Sequence, residues 1–170
     1  MALDKIPFVI ASSNKGKVKE FRNLLSVFPL DFINQPEDLT VEETGKTFEE
    51  NARIKAIAVS AHTGFLSLAD DSGLSVQALD GAPGIHSARY AKSDKERVKK
   101  ILSKLENSPN RKAKFECALC VASGDKVFLE VTGSCEGLIT FSPRGENGFG
   151  YDPIFEAASL GVTFAEMNHD

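Results

Sequence analysis

Residues 7–34 constrain the fold most, because they read strand, loop, helix, strand in direct succession. Pro7-Phe-Val-Ile-Ala11 is apolar enough for a buried strand, and Lys15–Phe28 sets Val18, Phe21, Leu24, Leu25 and Phe28 at helical spacing. Leu30–Asn34 reads as a second strand, so the opening unit is βαβ-like and favours a parallel pair. Thr47-Phe-Glu-Glu50 is a capping box, followed by a stripe of Phe48, Ala52, Ala56 and Val59. Ser93-Asp-Lys-Glu96 is a second one, with Val98, Ile101, Leu102 and Leu105 behind it. Phe65–Ala69 reads as a strand that Ser72-Gly73 ends in a turn. Lys112–Ser123 and Lys126–Ser134 read as paired strands around a Gly124-Asp125 turn, with Gly137–Phe141 extending that sheet. The expected class is α/β with a sheet that is at least partly antiparallel. No internal repeat or flexible linker interrupts it.

Composition narrows the function. The 170 residues suit one domain, or two small lobes sharing a sheet, and 42% hydrophobic with 26% charged residues is the make-up of a soluble globular protein. A net charge of −4 without a Lys/Arg block argues against a duplex nucleic-acid partner, while a small anion in a local basic pocket remains allowed. No apolar run approaches the roughly 18 residues that span a membrane, and Met1–Ser13 lacks a signal-peptide core. Cys117 and Cys120 form a C-x-x-C inside a strand-like run, where buried thiols are favoured over a zinc or redox pair; with Cys135 they make an odd number. The expected compartment is the cytoplasm, with thiols reduced.

Four segments and one lysine carry candidate chemistry. Ala69-Asp70-Asp71-Ser72-Gly73-Leu74 puts two carboxylates at the end of an apolar run, a costly place without a cationic partner such as Mg²⁺. Ser12-Ser13-Asn14-Lys15-Gly16-Lys17 lies between the first strand and first helix, where α/β proteins hold phosphates. It matches neither a Walker A loop nor G-x-G-x-x-G, and a solvated N-cap with Asn14 capping explains it equally well. Glu42 and Glu43 form a second acidic cluster that would complete an all-oxygen metal site with Asp70 and Asp71, or simply lie in water. Lys55, one turn after Asn51, is a cation of phosphate-reaching length or an exposed lysine. In Ser142–Pro153, glycines flank Phe149 and Tyr151, so a ring is offered for stacking on a flat base unless both rings pack home.

Together these segments resemble the inosine triphosphate pyrophosphatase family. The matching pieces are S-S-N-K-G-K (12–17), E-E-T-G-x-T-F-x-E-N-A (42–52), Lys55, A-D-D-S-G-L (69–74), G-A-P-G-I-x-S-A-R-Y (81–90), G-F-G-Y-D-P-I-F (148–155) and F-A-E-M (164–167), in the family's order and spacing. The resemblance implies an α/β protein with a long central mixed sheet, flanking helices and two lobes around a nucleotide cleft, the whole of residues 1–170 forming one such domain, usually as a homodimer. It implies Mg²⁺-dependent hydrolysis of ITP, dITP or XTP to the monophosphate and pyrophosphate. By matching motif, Asp71 would be the general base and also face the metal. Asp70 and the Glu42-Glu43 pair would complete the acidic site, with the ligand leaning to Glu42. Ser12, Ser13, Asn14, Lys15, Gly16, Lys17, Lys55 and Ser72 would hold the triphosphate, and Phe149, Gly150, Tyr151 and Asp152 would line the base pocket. A base beside a metal and lysines is expected to keep a low pKa.

The family pattern continues through a lysine to a Ser-His-Arg segment in a final helix that grips the 6-keto base. This sequence reads Asn168-His169-Asp170 instead, and His169 lacks the adjoining Ser and Arg. The expectation is intact phosphate and metal chemistry with weak base selectivity. Two other readings stand beside it: a broad nucleoside triphosphate pyrophosphatase, and a non-catalytic nucleotide-binding protein on the same scaffold.

Overall fold

The structure, a computed structural model, describes residues 4–168, so His169 lies outside the described residues. In chain order the elements are β1 (Ile6–Ile10), α1 (Lys15–Leu24), β2 (Leu30–Asn34), α2 (Phe48–Thr63), β3 (Leu66–Val76), α3 (Asp94–Lys104), β4 (Lys112–Ser123), β5 (Lys126–Ile139) and β6 (Phe155–Ala157). Six strands form one mixed sheet in the order β2-β1-β3-β4-β5-β6. β1 runs parallel to β2 and to β3, with Phe8 opposite both Phe32 and Leu66, while β5 and β6 are antiparallel. The opening βαβ unit and the α/β class are as the sequence indicates.

Three boundaries differ, each for a local reason. α1 stops at Leu24, short of Phe28: Leu25 takes a non-helical conformation, and Ser26 Oγ donates to the Asn23 carbonyl in place of a further turn. Leu24, Val27 and Phe28 are left exposed. β5 runs unbroken through Gly133 and Gly137 to Ile139, so Gly137–Ile139 of the expected Gly137–Phe141 segment belongs to it and Thr140 and Phe141 lie beyond its end. A Cβ on Gly137 would meet the Glu156 carbonyl and the Phe155 ring, so that glycine marks close packing within one strand rather than the start of a new segment.

The third difference matters most for function. Ser72-Gly73 does not turn the chain; β3 continues straight through both to Val76. A Cβ on Gly73 would sit 2.5 Å from both the Gly84 carbonyl oxygen and Ser87 Oγ, and that same Oγ accepts the Leu74 N–H at 2.9 Å. The glycine is there for this approach. Gly73→Ala is expected to destabilise by about 1–3 kcal/mol, as overpacked cores do, read as a lowered urea midpoint. An unchanged midpoint would mean that the Gly84–Ser87 segment yields freely.

The chain divides into two compact units. Unit 1 is Met1–Asp71 with Cys117–Thr132, and its core is Val9, Ala11, Ala52, Ala56, Val59, Ala69, Ala118, Cys120 and Ala122. Six of those nine are alanines, small enough to let α2 lie close against the strands. α2 starts with Thr47 Oγ1 accepting the Glu50 N–H, while Glu50 Oε2 accepts the Lys46 N–H one residue earlier than a standard box. It ends at Gly64, in the left-handed region that favours glycine. The Ser93 cap of α3 repeats the pattern with Glu96 and Lys92.

Unit 2 is Ser72–Glu116 with Gly133–Asp170, its core built on Leu74, Val76, Ile101, Leu105, Ile139, Ile154 and Phe155. Phe155 stacks edge-on against Phe115 and Phe164, with centroids 5.5 and 4.8 Å away. Arg111 is 8% exposed, and its guanidinium donates to the carbonyls of Ile139, Leu105 and Thr140 at 2.7–2.8 Å. The cation also lies 4.4 Å from the Phe141 ring centre. Burial lowers its affinity for the proton, yet a guanidinium stays charged.

Candidate active site

Unit 1 gathers acids and lysines from four places in the sequence. β3 supplies Asp70 and Asp71, only 3% and 7% exposed. The first turn of α1 supplies Lys17, whose Nζ lies 2.6 Å from Asp70 Oδ2. α2 supplies Asn51 and Lys55, one turn apart, and the segment before it supplies Glu43. Lys55 Nζ is 2.7 Å from Glu43 Oε1, and Asn51 Nδ2 donates to Asp71 Oδ2 at 2.9 Å. Half-buried lysines thus face a buried carboxylate at Asp70 and a half-buried one at Glu43, the compensation that charged groups away from water require.

Without a bound cation, burial dominates the environment of Asp71. Its carboxyl is held above the ordinary range rather than below it, because loss of hydration outweighs the Asn51 hydrogen bond and the Lys55 charge; Glu43 pushes the same way as burial. A strand interior desolvates more than a loop end does, and β3 places Asp71 in its interior. Cys117 lies within the field of Asp70 and Asp71, and burial lifts its thiol to about 11. All three cysteines are free, and within the C-x-x-C of β4 Cys120 is buried and Cys117 half-buried. Among the described residues no three His, Cys, Asp or Glu side chains converge as a ready-made metal cage.

The remaining candidates separate by position. Glu42 is exposed, whereas Glu43 is half-buried in the lysine pair. In Ser12–Lys17, Asn14 Oδ1 accepts the N–H groups of Gly16 (2.9 Å) and Lys17 (3.3 Å), so it does cap α1. Ser13, Asn14 and Lys15 are exposed, and Ser12 and Gly16 half-buried. Lys17, though, is not a solvated lysine of that cap. Ser72 is half-buried in β3 directly after Asp71.

Unit 2 holds the glycine-rich loop. Gly148 has φ 74°, and a Cβ there would collide with Asp152 Oδ2, which instead accepts the Phe149 N–H at 2.9 Å. Gly150 N–H donates to Asp94 Oδ2 at 2.8 Å. Of the two rings Tyr151 packs home: it is 4% exposed, its hydroxyl donates to the Ser87 carbonyl at 2.8 Å, and burial raises the phenol's pKa. Phe149, Gly150 and Asp152 are half-buried.

Sequence reasoning overlooked Asn51 and Asp94 as participants. The signal for Asn51 was present: with Lys55 it falls three and seven residues after Phe48, on the inward stripe of α2 rather than on its wet face.

Comparison with known proteins places this arrangement in context. The chain is similar to the dITP/XTP pyrophosphatase of Prochlorococcus marinus (strain NATL1A), 67% identical over 168 residues that cover 99% of this chain and 86% of that one. A relative of the same name from Gloeobacter violaceus is 48% identical over 94% of this chain and 82% of its own length. Among solved structures, a HAM1 protein from Coxiella burnetii superposes with a TM-score of 0.86 at 42% identity, covering 96% of this chain and 88% of that one. The Staphylococcus aureus Ham1 protein does so with 0.83 at 43%, covering 96% and 87%. The Ham1 family pattern matches residues 8–170, and with relatives this similar over nearly its whole length the chain belongs to the Ham1 family.

Proposed function

We propose that this protein hydrolyses non-standard purine nucleoside triphosphates such as dITP and XTP to the nucleoside monophosphate and pyrophosphate, removing them from the nucleotide pool. The observation that carries the reading is the pairing of Lys17 with Asp70 and of Lys55 with Glu43 beside the buried Asp71, in a chain whose close relatives bear the name dITP/XTP pyrophosphatase. Each lysine is held by a carboxylate that a divalent cation would also suit, and each carboxylate by a lysine that a phosphate would also suit. A triphosphate carrying its cation brings both charges together.

The donor chemistry fits Mg²⁺: hard carboxylate oxygens are present, and Mg²⁺ is ordinarily held by one or two carboxylates plus water and substrate phosphates, not by an all-protein cage. We assign Asp70, Asp71 and Glu43 to that role; the exposed Glu42 has no comparable support. When bound, the ion neutralises phosphate oxygens and makes the attacking water more acidic. Asp71 then takes a proton from water as it attacks the α-phosphorus, the α–β anhydride bond breaks, and pyrophosphate leaves with its new charge met by Lys17 and Lys55. Ser12–Lys17 and Ser72 are assigned to the phosphates. Phe149 is assigned to the base, with the Gly150 and Asp152 backbone beside it, and the buried Tyr151 supports that loop from within. A homodimer working in the cytoplasm belongs to the same proposal; light scattering of the purified protein tests the former.

Products decide the reaction. With ITP and Mg²⁺, IMP and pyrophosphate are expected as primary products; IDP and orthophosphate would overturn the geometry. EDTA is expected to stop turnover and Mg²⁺ to restore it, and activity persisting after exhaustive chelation would remove the metal from the scheme. Comparable kcat/KM for ITP and ATP would turn the reading toward a broad pyrophosphatase.

A further inference from the structure

Asn51 is a buried amide inside a helix that already has its cap. It is 1% exposed, four residues after Thr47, which caps α2, and its own backbone N–H continues the helix to the Thr47 carbonyl at 3.2 Å. Asparagine in a helix interior is neutral to unfavourable, so its place there needs a reason from the side chain. Both ends of that side chain are used. Oδ1 accepts the Gly45 N–H at 2.8 Å, and Nδ2 donates to Asp71 Oδ2 at 2.9 Å. The amide's orientation follows from its partners, since a backbone N–H can only donate and an ionised carboxylate can only accept.

The Gly45 contact is close by necessity. A Cβ at that position would lie 2.7 Å from Asn51 Oδ1 and 2.7 Å from Glu50 Cβ. The segment carrying Glu43 is thereby drawn onto the start of α2, where Lys55 meets Glu43 one turn further along. One side chain joins the β3 carboxylate to the acidic segment.

We propose that Asn51 is a positioning residue: it fixes the rotation of the Asp71 carboxylate and holds the Glu43 segment in register with it. The inference rests on Asp71 being the base. The last torsion of an aspartate is broad, so a carboxylate without a fixed partner spreads its oxygens over many orientations. With Oδ2 engaged by Asn51, Oδ1 keeps one direction toward a reacting water. Small misplacements of a reacting group cost rate, not affinity.

The test compares Asn51→Leu, which removes both bonds at similar volume, with Asn51→Asp, which keeps an acceptor for Gly45 and loses the donor to Asp71. Each is measured as kcat and KM for ITP with saturating Mg²⁺, per folded molecule by circular dichroism, alongside Asp71→Asn. Both Asn51 variants are expected to lose about 10- to 100-fold in kcat with KM moving by less than about 3-fold. A role confined to folding would lower the folded fraction and leave kcat per folded molecule intact. Either variant, folded and turning over within about 3-fold of wild type, would overturn the inference. If Asp71→Asn is inactive in the same assay, only the Asn51 role falls; if Asp71→Asn retains its rate, the base assignment fails and the inference with it.

Discussion

Asp71→Asn is expected to lower kcat by about 10²- to 10⁴-fold while the chain stays folded. Asparagine has nearly the same shape, and its amide oxygen still accepts from Asn51 Nδ2, but it takes no proton and is a poor partner for a divalent cation. The stability change runs opposite to the activity change. Burial raises the Asp71 carboxyl above its ordinary value, so the folded chain binds that proton more tightly than the unfolded chain does. Its contribution to stability is present below the usual carboxylate range and is lost as pH rises through the raised folded value. Removing the charge therefore raises the Tm of the metal-free protein at neutral pH, and the gain shrinks as the buffer is made acidic. Thermal unfolding in EDTA at several pH values checks the sign. A variant with near wild-type turnover, or one destabilised at neutral pH and not at acid pH, would contradict the account.

Arg111→Met is expected to be among the most destabilising single changes in unit 2. The guanidinium satisfies the carbonyls of Leu105, Ile139 and Thr140 at once, joining the end of α3 to the end of β5. Methionine fills much of the volume but leaves those acceptors short of a donor, at about 1–3 kcal/mol for each one kept from water. A net loss of about 3–5 kcal/mol corresponds to a Tm lowered by roughly 6–20 °C in a chain of this length. Arg111→Lys should recover only part of it, since one ammonium cannot reach all three oxygens in the fork geometry. Scanning calorimetry at fixed pH measures both. A shift below about 2 °C for Arg111→Met would mean that water replaces the fork without cost.

What was legible in the sequence was periodic or capped. β2 at Leu30–Asn34, the Thr47 and Ser93 caps and the Gly124-Asp125 link between β4 and β5 stand where local chemistry puts them. What misled was glycine. Gly73 read as a stop and Gly137 as the start of a separate segment, because their absent side chains serve partners distant in sequence, which no local pattern reveals. The acidic and basic members of the candidate site were visible as residue types, but their pairing was not. Lys17 and Asp70 are 53 residues apart, and only the parallel register of β1 with β3 brings the start of α1 to that strand. The cost of placing Asp71 there was legible, but its depth was not: the expected turn would have left it at a half-buried strand end, whereas β3 runs on to Val76.

Asp70 and Asp71 stand in the middle of an eleven-residue strand, while Glu43 and Ser12–Asn14 lie outside any helix or strand. Backbone inside a hydrogen-bonded ladder opens only with the ladder, whereas irregular segments open at far lower free energy. The two halves of the Lys55–Glu43 pair therefore belong to different rungs of local stability, and the Ser12–Asn14 loop stands on the lower rung beside the Lys17–Asp70 pair. On warming, amide exchange should spread first through residues 42–45 and 12–14, with Asp70 and Asp71 among the last of unit 1 to exchange. Heat would then erode the grip on phosphate before it moves the base, and KM for nucleotide would climb at temperatures where kcat is still rising.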